Sequence, residues 1–370
     1  MPHGAPFTRL IDQLPSTMPF VAPEALARKS GRPIRLRLGA NESPFGPSPE
    51  AREAMRRAAD EMEWYADPES YELRSALAIY HATTIDHIVV GSGIDDLLGL
   101  VVRVFLDRGD VAVASYGAYP TFAYHVAGYG ARLETVPYHN DMNDLEALAR
   151  AAHAHGARLV YLSNPDNPSG SWHDGHELAR FLETLPAGCS LVLDEAYCDF
   201  APDAQDVPVS TDDPRLLRLR TFSKAYGLAG ARVGYALAAP AAIIAFEKIR
   251  LHFGVNRAAQ DGALAALRDT NYLRDVVRWN AAGREEFITL ARELGMRPLP
   301  SATNFVSMDT GSAERAQAIM QALARRDVFI RMPGVPPLNS CIRVTIGTPE
   351  QRAAFATELR AVWPVVAELG

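Results

Sequence analysis

The sequence has few cysteines and no long uninterrupted apolar run in its 370 residues. Its three cysteines, Cys189, Cys198 and Cys341, include no C-x-x-C pair, which argues against a disulfide framework and a zinc site. No stretch reaches the roughly 18 apolar residues that a membrane-spanning helix needs, and the N-terminus lacks the apolar segment of an export signal. We therefore expect a cytoplasmic protein with no metal centre and no membrane partner.

Basic charge is also scarce. The 37 Lys and Arg residues are outnumbered by 44 Asp and Glu, which leaves a net charge of -7. No basic stripe is available for a nucleic acid backbone, so nucleic acid is not an expected partner. The hydrophobic content is 48%, and a chain of this length usually forms one large domain plus a smaller one.

Apolar runs of strand length alternate with helical patterns in the middle of the chain, which predicts an α/β fold with a mostly parallel sheet. The runs are HIVVGSG, DVAVASY, RLVYLSNP, SLVLDEAY and LLRLRTFS. Each ends in polar residues or glycine, and ligands of open α/β sheets bind at those carboxyl ends.

The pattern changes after about residue 255. Long helical patterns rich in Ala, Arg and Glu are followed there by NFVSMDT, VFIRMP and CIRVTIG, which predict a smaller α+β domain. We divide the chain into an N-terminal arm that is part of the small domain (1–40), a large domain (41–255) and a small C-terminal domain (256–370).

Candidate binding groups collect at the strand ends. The turn 92–95 precedes a predicted helix, where backbone N–H groups can bind an anion, although glycine is common in ordinary turns. Asp194 ends an apolar strand and needs a cation there, unless it only caps the next turn. Asn167 lies in LSNPDNPSG, which is also compatible with plain turn chemistry.

Lys224 follows another strand, within TFSKAYGLAGARVGY. The hydroxyls of Thr221 and Ser223 and the guanidinium of Arg232 can bind a phosphate beside this amine. Taken alone, the stretch favours a solvated loop lysine over a binding site.

Eight motifs now cover nearly the whole chain in a fixed order: LGANESPFGPSP, WYADPESYELRSALA, GSGIDDLL, NPDNPSG, DEAYCDF, TFSKAYGLAGARVGY, ATNFV and CIRVTIGTPE. With them the chain resembles the pyridoxal-phosphate (PLP) aminotransferases of fold type I, and within these the histidinol-phosphate aminotransferase branch. The resemblance implies a large domain with a mostly parallel seven-stranded sheet between helices, plus a smaller α+β domain.

The resemblance also implies roles for single residues. Lys224 would form a covalent imine with the cofactor aldehyde and then act as general base. Asp194 would pair with the pyridine nitrogen, while Tyr197 and Asn167 would hydrogen-bond the ring oxygen. The catalytic residues would thus be Lys224, Asp194 and Tyr197. The expected ligands of the cofactor phosphate are Ser92, Gly93, Ile94, Asp95, Thr221, Ser223 and Arg232.

Aromatic residues complete the implied cofactor site. Tyr119 is expected to stack on the ring, with Phe122 as the alternative. Tyr65 matches the family tyrosine that reaches the phosphate of the neighbouring subunit's cofactor, which implies a homodimer with shared active sites.

Substrate recognition is implied at four positions. Arg343 matches the arginine that grips the substrate α-carboxylate, Arg331 matches one that binds the phosphate of histidinol phosphate, and Asn41 lies where the family contacts substrate. Phe20 stands where the family usually has a tyrosine that touches the substrate phosphate. Histidinol phosphate with a 2-oxo acid such as 2-oxoglutarate is the favoured pair, and an aromatic amino acid is the alternative donor.

Two further classes of function compete with transamination. Fold type I also includes decarboxylases and lyases, but Arg343 favours transamination because a carboxylate held in the ring plane is protected from loss. A cofactor-binding regulator is the other class. The absence of a basic extension argues against it.

Overall fold

A computed structural model describes residues 6–15, 22–201 and 207–367 of the chain. The strands are β1 Leu36–Arg37, β2 Ile88–Gly91, β3 Val111–Ser115, β4 Arg132–Val136, β5 Leu159–Ser163, β6 Ser190–Asp194, β7 Leu216–Thr221, β8 Gly234–Leu237, β9 Arg297–Pro298, β10 Phe305–Asp309, β11 Val328–Phe329 and β12 Cys341–Thr345. The helices are α1 Arg9–Gln13, α2 Pro23–Ser30, α3 Pro49–Ala59, α4 Tyr71–Tyr80, α5 Ile94–Phe105, α6 Pro120–Tyr129, α7 Leu145–His155, α8 Gly175–Thr184, α9 Pro240–Glu247, α10 Arg257–Arg268, α11 Thr270–Glu293, α12 Ala313–Ala324 and α13 Pro349–Ala367.

The large sheet has seven strands among the described residues, in the order β2-β8-β7-β6-β5-β3-β4. β8 is antiparallel to both of its neighbours, and the other pairs are parallel. All residues of β3, β5, β6 and β7 are buried, as expected of strands that are covered on both faces. The five strands predicted from apolar runs are all present.

Two strands of this sheet carry no such signal in the sequence. β4 (RLETV) lies at the edge of the sheet and leaves most of its residues partly exposed, so its sequence is not an apolar run. β8 (GYAL) is short and overlaps the glycine-spaced motif that we interpreted as a cofactor loop.

The small domain is built on an antiparallel sheet in the order β12-β10-β9, with α11, α12 and α13 packed against it. The N-terminal arm takes part in this domain: β1 pairs in parallel with β11, and Leu36 and Leu38 belong to the same apolar cluster as Val328.

The domain boundary differs from the predicted one at 255/256. α10 packs against α3 and α4, and its residues Ala259 and Ala263 share an apolar cluster with Ile88 of the large sheet. The chain therefore leaves the large domain at α11, because the alanine stripe of α10 faces this sheet rather than the small domain.

Within the described ranges no helix is long and apolar enough to span a membrane. The same residues contain no group of three His, Cys, Asp or Glu side chains that could hold a metal ion.

Candidate active site

A cavity of about 430 Å³ opens at the carboxyl ends of β5, β6 and β7 and is closed on its other side by residues of the small domain. Because β5, β6 and β7 are parallel, the loops that follow them meet at one edge of the sheet, as expected from the sequence. The predicted site residues that line the cavity are Asn41, Ile94, Asp95, Tyr119, Asn167, Asp194, Tyr197, Thr221, Ser223, Lys224, Arg232, Arg331 and Arg343.

Asp194 is the last residue of β6 and is buried. One carboxylate oxygen accepts a hydrogen bond from the Tyr161 hydroxyl at 2.8 Å, and the other accepts the Ala196 N–H at 3.0 Å. No arginine, lysine or histidine among the described residues forms an ion pair with it, and burial raises the pKa of Asp194 to about 6. A buried carboxylate that lacks a cation and lines a cavity fits a cationic ring nitrogen as ligand.

Lys224 follows β7 and points toward Tyr197. Its Nζ lies 5.5 Å from the centre of the Tyr197 ring, which in turn packs edge-on against Phe305. The Tyr197 oxygen accepts hydrogen bonds from the side-chain amides of Asn41 at 3.0 Å and Asn167 at 3.5 Å. The amine and the phenol therefore face the same space.

The amide orientations at Tyr197 are fixed by their other partners. The side-chain oxygen of Asn167 accepts from Arg343, and that of Asn41 accepts from Thr345 at 3.2 Å. Each amide nitrogen is therefore left to donate to the Tyr197 oxygen. Because that oxygen already accepts two N–H groups, the phenol proton is available for an acceptor in the cavity.

The opposite end of the cavity is a cradle for an anion. Gly93 caps α5 with a φ of 87°, and a Cβ at this position would lie 2.4 Å from Nη2 of Arg232. Arg232 also donates to the Ser223 hydroxyl at 3.4 Å, and Thr221 donates to the same oxygen at 2.9 Å. A guanidinium, two hydroxyls and a helix N-terminus together suit a phosphate dianion.

Asp95 ties the aromatic candidate to this cradle. Its carboxylate accepts the Tyr119 hydroxyl at 3.0 Å and lies 3.6 Å from the Arg232 guanidinium. Phe122, the alternative stacking residue, is instead fully buried and stacks on Tyr161 with ring centres 4.8 Å apart. Of the two aromatic candidates, only Tyr119 lines the cavity.

Ser92 does not line the cavity, in contrast to the expectation that it binds the phosphate. Its backbone N–H donates to the Asp96 carboxylate at 2.9 Å, and its hydroxyl donates to the Gly254 carbonyl at 2.6 Å. Both of its donors are therefore engaged behind the cradle.

Arg331 and Arg343 lie side by side at the cavity. Their backbones exchange two hydrogen bonds, at 2.7 and 3.1 Å. Arg343 is anchored by the Asn167 side chain and the Gly39 carbonyl, while its Nε has no hydrogen-bond partner among the described residues. Burial lowers the pKa of Arg343 to about 10 and also lowers that of Arg331, so both charges are held in a poorly solvated place.

Like Ser92, Gly93 and Tyr65 lie outside the cavity lining of the described chain. Tyr65 is 81% exposed and packs its ring against Phe253 at 4.8 Å, outside the cavity lining. Phe20 lies outside the described residues.

Three further residues hold the site together, although no role was predicted for them. Tyr161 lies inside an apolar run, where a tyrosine is interpreted as core. Thr345 lies in the motif CIRVTIGTPE and Asn304 in the motif ATNFV, but neither residue had a predicted role. Asn304 donates to the backbone carbonyls of Asn41 and Glu42, at 3.0 and 3.3 Å.

The chain is similar to known proteins over most of its length. The sequence profile of the family described as aminotransferase class I and II matches residues 33–359. Histidinol-phosphate aminotransferase 2 of Pseudomonas fluorescens is 38% identical over 331 residues, 88% of each chain. Histidinol-phosphate aminotransferase 1 of Dechloromonas aromatica is 38% identical over 339 residues, 90% of this chain and 92% of its own.

A solved structure resembles the whole chain. Histidinol-phosphate aminotransferase from Sinorhizobium meliloti, in complex with pyridoxal-5'-phosphate, is 47% identical, covers 99% of this chain and 100% of its own, and has a TM-score of 0.94. The predicted fold type I architecture is confirmed.

Proposed function

Because this chain belongs to the class I and II aminotransferase family, we propose that it moves an amino group between histidinol phosphate and a 2-oxo acid such as 2-oxoglutarate, with pyridoxal 5'-phosphate as cofactor. The names of its relatives support the substrate. The observation that carries it is the pair of neighbouring guanidinium groups, Arg331 and Arg343, at the cavity.

Two anions of different shape must bind at this pair. Histidinol phosphate has a phosphate ester and no carboxylate, whereas 2-oxoglutarate has two carboxylates. Guanidinium groups bind both kinds of anion through paired N–H donors. The Nη atoms of Arg343 are anchored by the Asn167 side chain and the Gly39 carbonyl, so the guanidinium keeps the same position at the cavity for each substrate in turn.

The residues present fit the cofactor. When bound, pyridoxal phosphate supplies an electron sink that allows a Cα–H bond to be broken. Asp194 would hold the ring nitrogen, Lys224 the aldehyde carbon, and Tyr119 the ring face. The phosphate would be held by Arg232, Thr221, Ser223 and the N-terminus of α5.

The chain's own groups then carry the proton. The Lys224 amine is the general base that takes the proton from Cα of the amino donor in one half of the reaction. In the other half it gives a proton to Cα of the 2-oxo acid. The Tyr197 hydroxyl, with two amides donating to its oxygen, donates its own proton into the cavity. Arg343 orients the bound substrate so that its Cα–H bond is the one broken.

A donor panel tests the substrate. Protein loaded with cofactor is mixed with histidinol phosphate, histidinol or phenylalanine, and the absorbance of the cofactor and the 2-oxoglutarate-dependent turnover are recorded. Histidinol phosphate should react, and Arg331→Ala should reduce its kcat/KM far more than that of phenylalanine. A protein that reacts with phenylalanine and leaves histidinol phosphate untouched would contradict the proposed substrate while retaining the family chemistry.

The assembly is proposed to be a homodimer in which each subunit completes the site of the other. Large apolar side chains are exposed around Tyr65: Trp64 is 62% exposed, Phe253 55% and Leu251 73%. An exposed apolar patch of this kind is typical of a protein interface.

Mixing two inactive variants tests the sharing of sites. Lys224→Ala and Tyr65→Ala proteins are unfolded and refolded together. If Tyr65 acts in the partner's site, the mixed dimer contains one site with both residues intact, and activity above that of either parent should return. Activity that stays at the average of the two parents would rule out shared sites.

A further inference from the structure

Tyr161 is a fully buried residue in the middle of β5, and no role was expected for it. The register of the sheet sets Ser163 of β5 opposite Asp194 of β6, so Tyr161 lies one pleat away on the neighbouring strand. Its hydroxyl donates to the Asp194 carboxylate at 2.8 Å, and its ring is held in place by stacking on Phe122, with ring centres 4.8 Å apart and planes 14° apart.

We propose that Tyr161 is the positioning residue of Asp194, whose carboxylate it keeps ionised and turned toward the cavity. The inference rests on the proposed function, because it assigns Asp194 to the ring nitrogen of the cofactor. Phe122, which we had considered as a stacking residue, has the indirect part of fixing the Tyr161 ring.

Hydrogen bonding accounts for the ionised state. Burial raises the pKa of Asp194 to about 6, and the Tyr161 hydroxyl acts in the opposite direction because a donor favours the charged form. The other charged groups that face Asp194 are Asp95, which opposes its ionisation, and Lys224, which favours it. The Ala196 N–H is the second direct donor.

Tyr161 is suited to be a permanent donor. Burial and the negative charge of Asp194 both raise the pKa of Tyr161 well above its ordinary value. The phenol therefore keeps its proton over the whole range in which the enzyme can work. Without that hydroxyl, the buried carboxyl would take up a proton at higher pH and could no longer pair with a cationic ring nitrogen.

The variant Tyr161→Phe tests this in protein stripped of cofactor. Infrared difference spectra recorded against pH follow the carboxyl band of Asp194, which is assigned as the band that Asp194→Asn removes. The midpoint should rise by about one pH unit, the amount expected for one hydrogen bond to a charged group. A midpoint within roughly 0.3 unit of the parent protein would overturn the proposal. No amino donor is used, so this result is independent of the substrate.

Tyr138→Phe is the matched control, because the Tyr138 hydroxyl also donates to a buried carboxylate, that of Asp166, at 3.2 Å. It should leave the Asp194 midpoint unchanged. An equal shift in both variants would show a general effect of losing a buried hydroxyl and would contradict a specific role.

Cofactor affinity supplies a second readout. Tyr161→Phe should weaken binding of pyridoxal phosphate about tenfold but leave binding of 1-deazapyridoxal phosphate, which has carbon in place of the ring nitrogen, within roughly twofold of the parent. Equal losses for both compounds would mean that Tyr161 only supports the fold.

If Tyr161→Phe does not fold, 3-fluorotyrosine at position 161 replaces it. This residue keeps the hydroxyl and makes it a stronger donor, so the Asp194 midpoint should fall. An unchanged or higher midpoint would contradict the proposal.

Discussion

Thr345 is hydrogen-bonded twice to Asn41. Its hydroxyl oxygen accepts the Asn41 backbone N–H at 3.0 Å, and the hydroxyl donates to the Asn41 side-chain oxygen at 3.2 Å. Asn41 has a φ of 54°, a left-handed conformation that is costly for a residue with a side chain. The small domain thus fixes one of the two residues whose side-chain amides donate to Tyr197 in the large domain.

Removing the Thr345 hydroxyl should therefore slow catalysis more than it disturbs the fold. In Thr345→Val the backbone N–H and the side-chain oxygen of Asn41 both lose their partner, and kcat should fall about tenfold. Thr345→Ser keeps the hydroxyl and loses only a methyl group, so its kcat should stay near that of the parent. Steady-state kinetics at a temperature where all three proteins are folded measure this, and equal losses in both variants would contradict it.

Gly93→Ala should impair cofactor binding, since the added Cβ would lie 2.4 Å from the Arg232 guanidinium and the backbone φ is 87°. We expect a loss of about 1–3 kcal/mol of unfolding free energy and a clear loss of affinity for pyridoxal phosphate. Gly128→Ala is the control, because no atom lies within 4 Å of a Cβ there. Spectroscopic titration with the cofactor measures the affinity of both variants. Normal affinity of Gly93→Ala would contradict a phosphate site beside Gly93.

Glu195→Gln should destabilise the protein strongly at neutral pH. Glu195 has 0% side-chain exposure and pairs with Arg218 and Arg220, each at 2.8 Å. Its removal takes away the buried carboxylate that both guanidinium groups share, which costs about 3–5 kcal/mol. Glu53→Gln, which breaks only exposed pairs, should cost less than about 1 kcal/mol. Urea unfolding followed by fluorescence measures the difference.

The effect of Glu195→Gln should depend on pH. Burial acts to raise the pKa of Glu195, but the two guanidinium groups keep it below the ordinary value of 4.5. Its contribution to stability is thus complete above that value and is lost as the pH falls below it. The gap between parent and variant should shrink in acid. A gap that is constant from neutral pH to acid would contradict this account.

Arg343→Lys should not be tolerated, although it keeps the charge. Arg343 uses different nitrogens for Asn167 and Gly39 and still has its Nε unpaired, which a lysine ammonium cannot reproduce. We expect kcat/KM for both substrates to fall about 100-fold. Arg297→Lys, an exposed ion-pair change, should have no effect on activity. Full activity of Arg343→Lys would show that charge alone suffices.

Sequence patterns predicted the fold class and the edge of the sheet at which the candidate residues meet. Lys224, Asp194 and Asn167 could be placed together because each follows an apolar run, and parallel strands deliver their ends to one edge of the sheet. The last residues of β5 and β6, Ser163 and Asp194, are paired in the sheet, so the two strands end at the same edge.

The elements that escaped prediction depend on contacts between distant segments. An amphipathic helix such as α10 has an apolar stripe but does not specify which domain the stripe contacts. Likewise, Tyr161 looks like any core tyrosine until the register of β5 and β6 sets its hydroxyl against Asp194. Ser92 has the expected position in the turn, but its donors are taken by Asp96 and Gly254.

The pairing of β1 with β11 brings residues 36–37 together with residues 328–329. During synthesis β1, the first strand of the small domain, can therefore pair only after residues 328–329 have been made. The strands that carry Asp194 and Lys224 are all made long before that moment. Asn41, which follows β1 and depends on Thr345, is thus a part of the candidate site that can be ordered only after residue 345 has emerged.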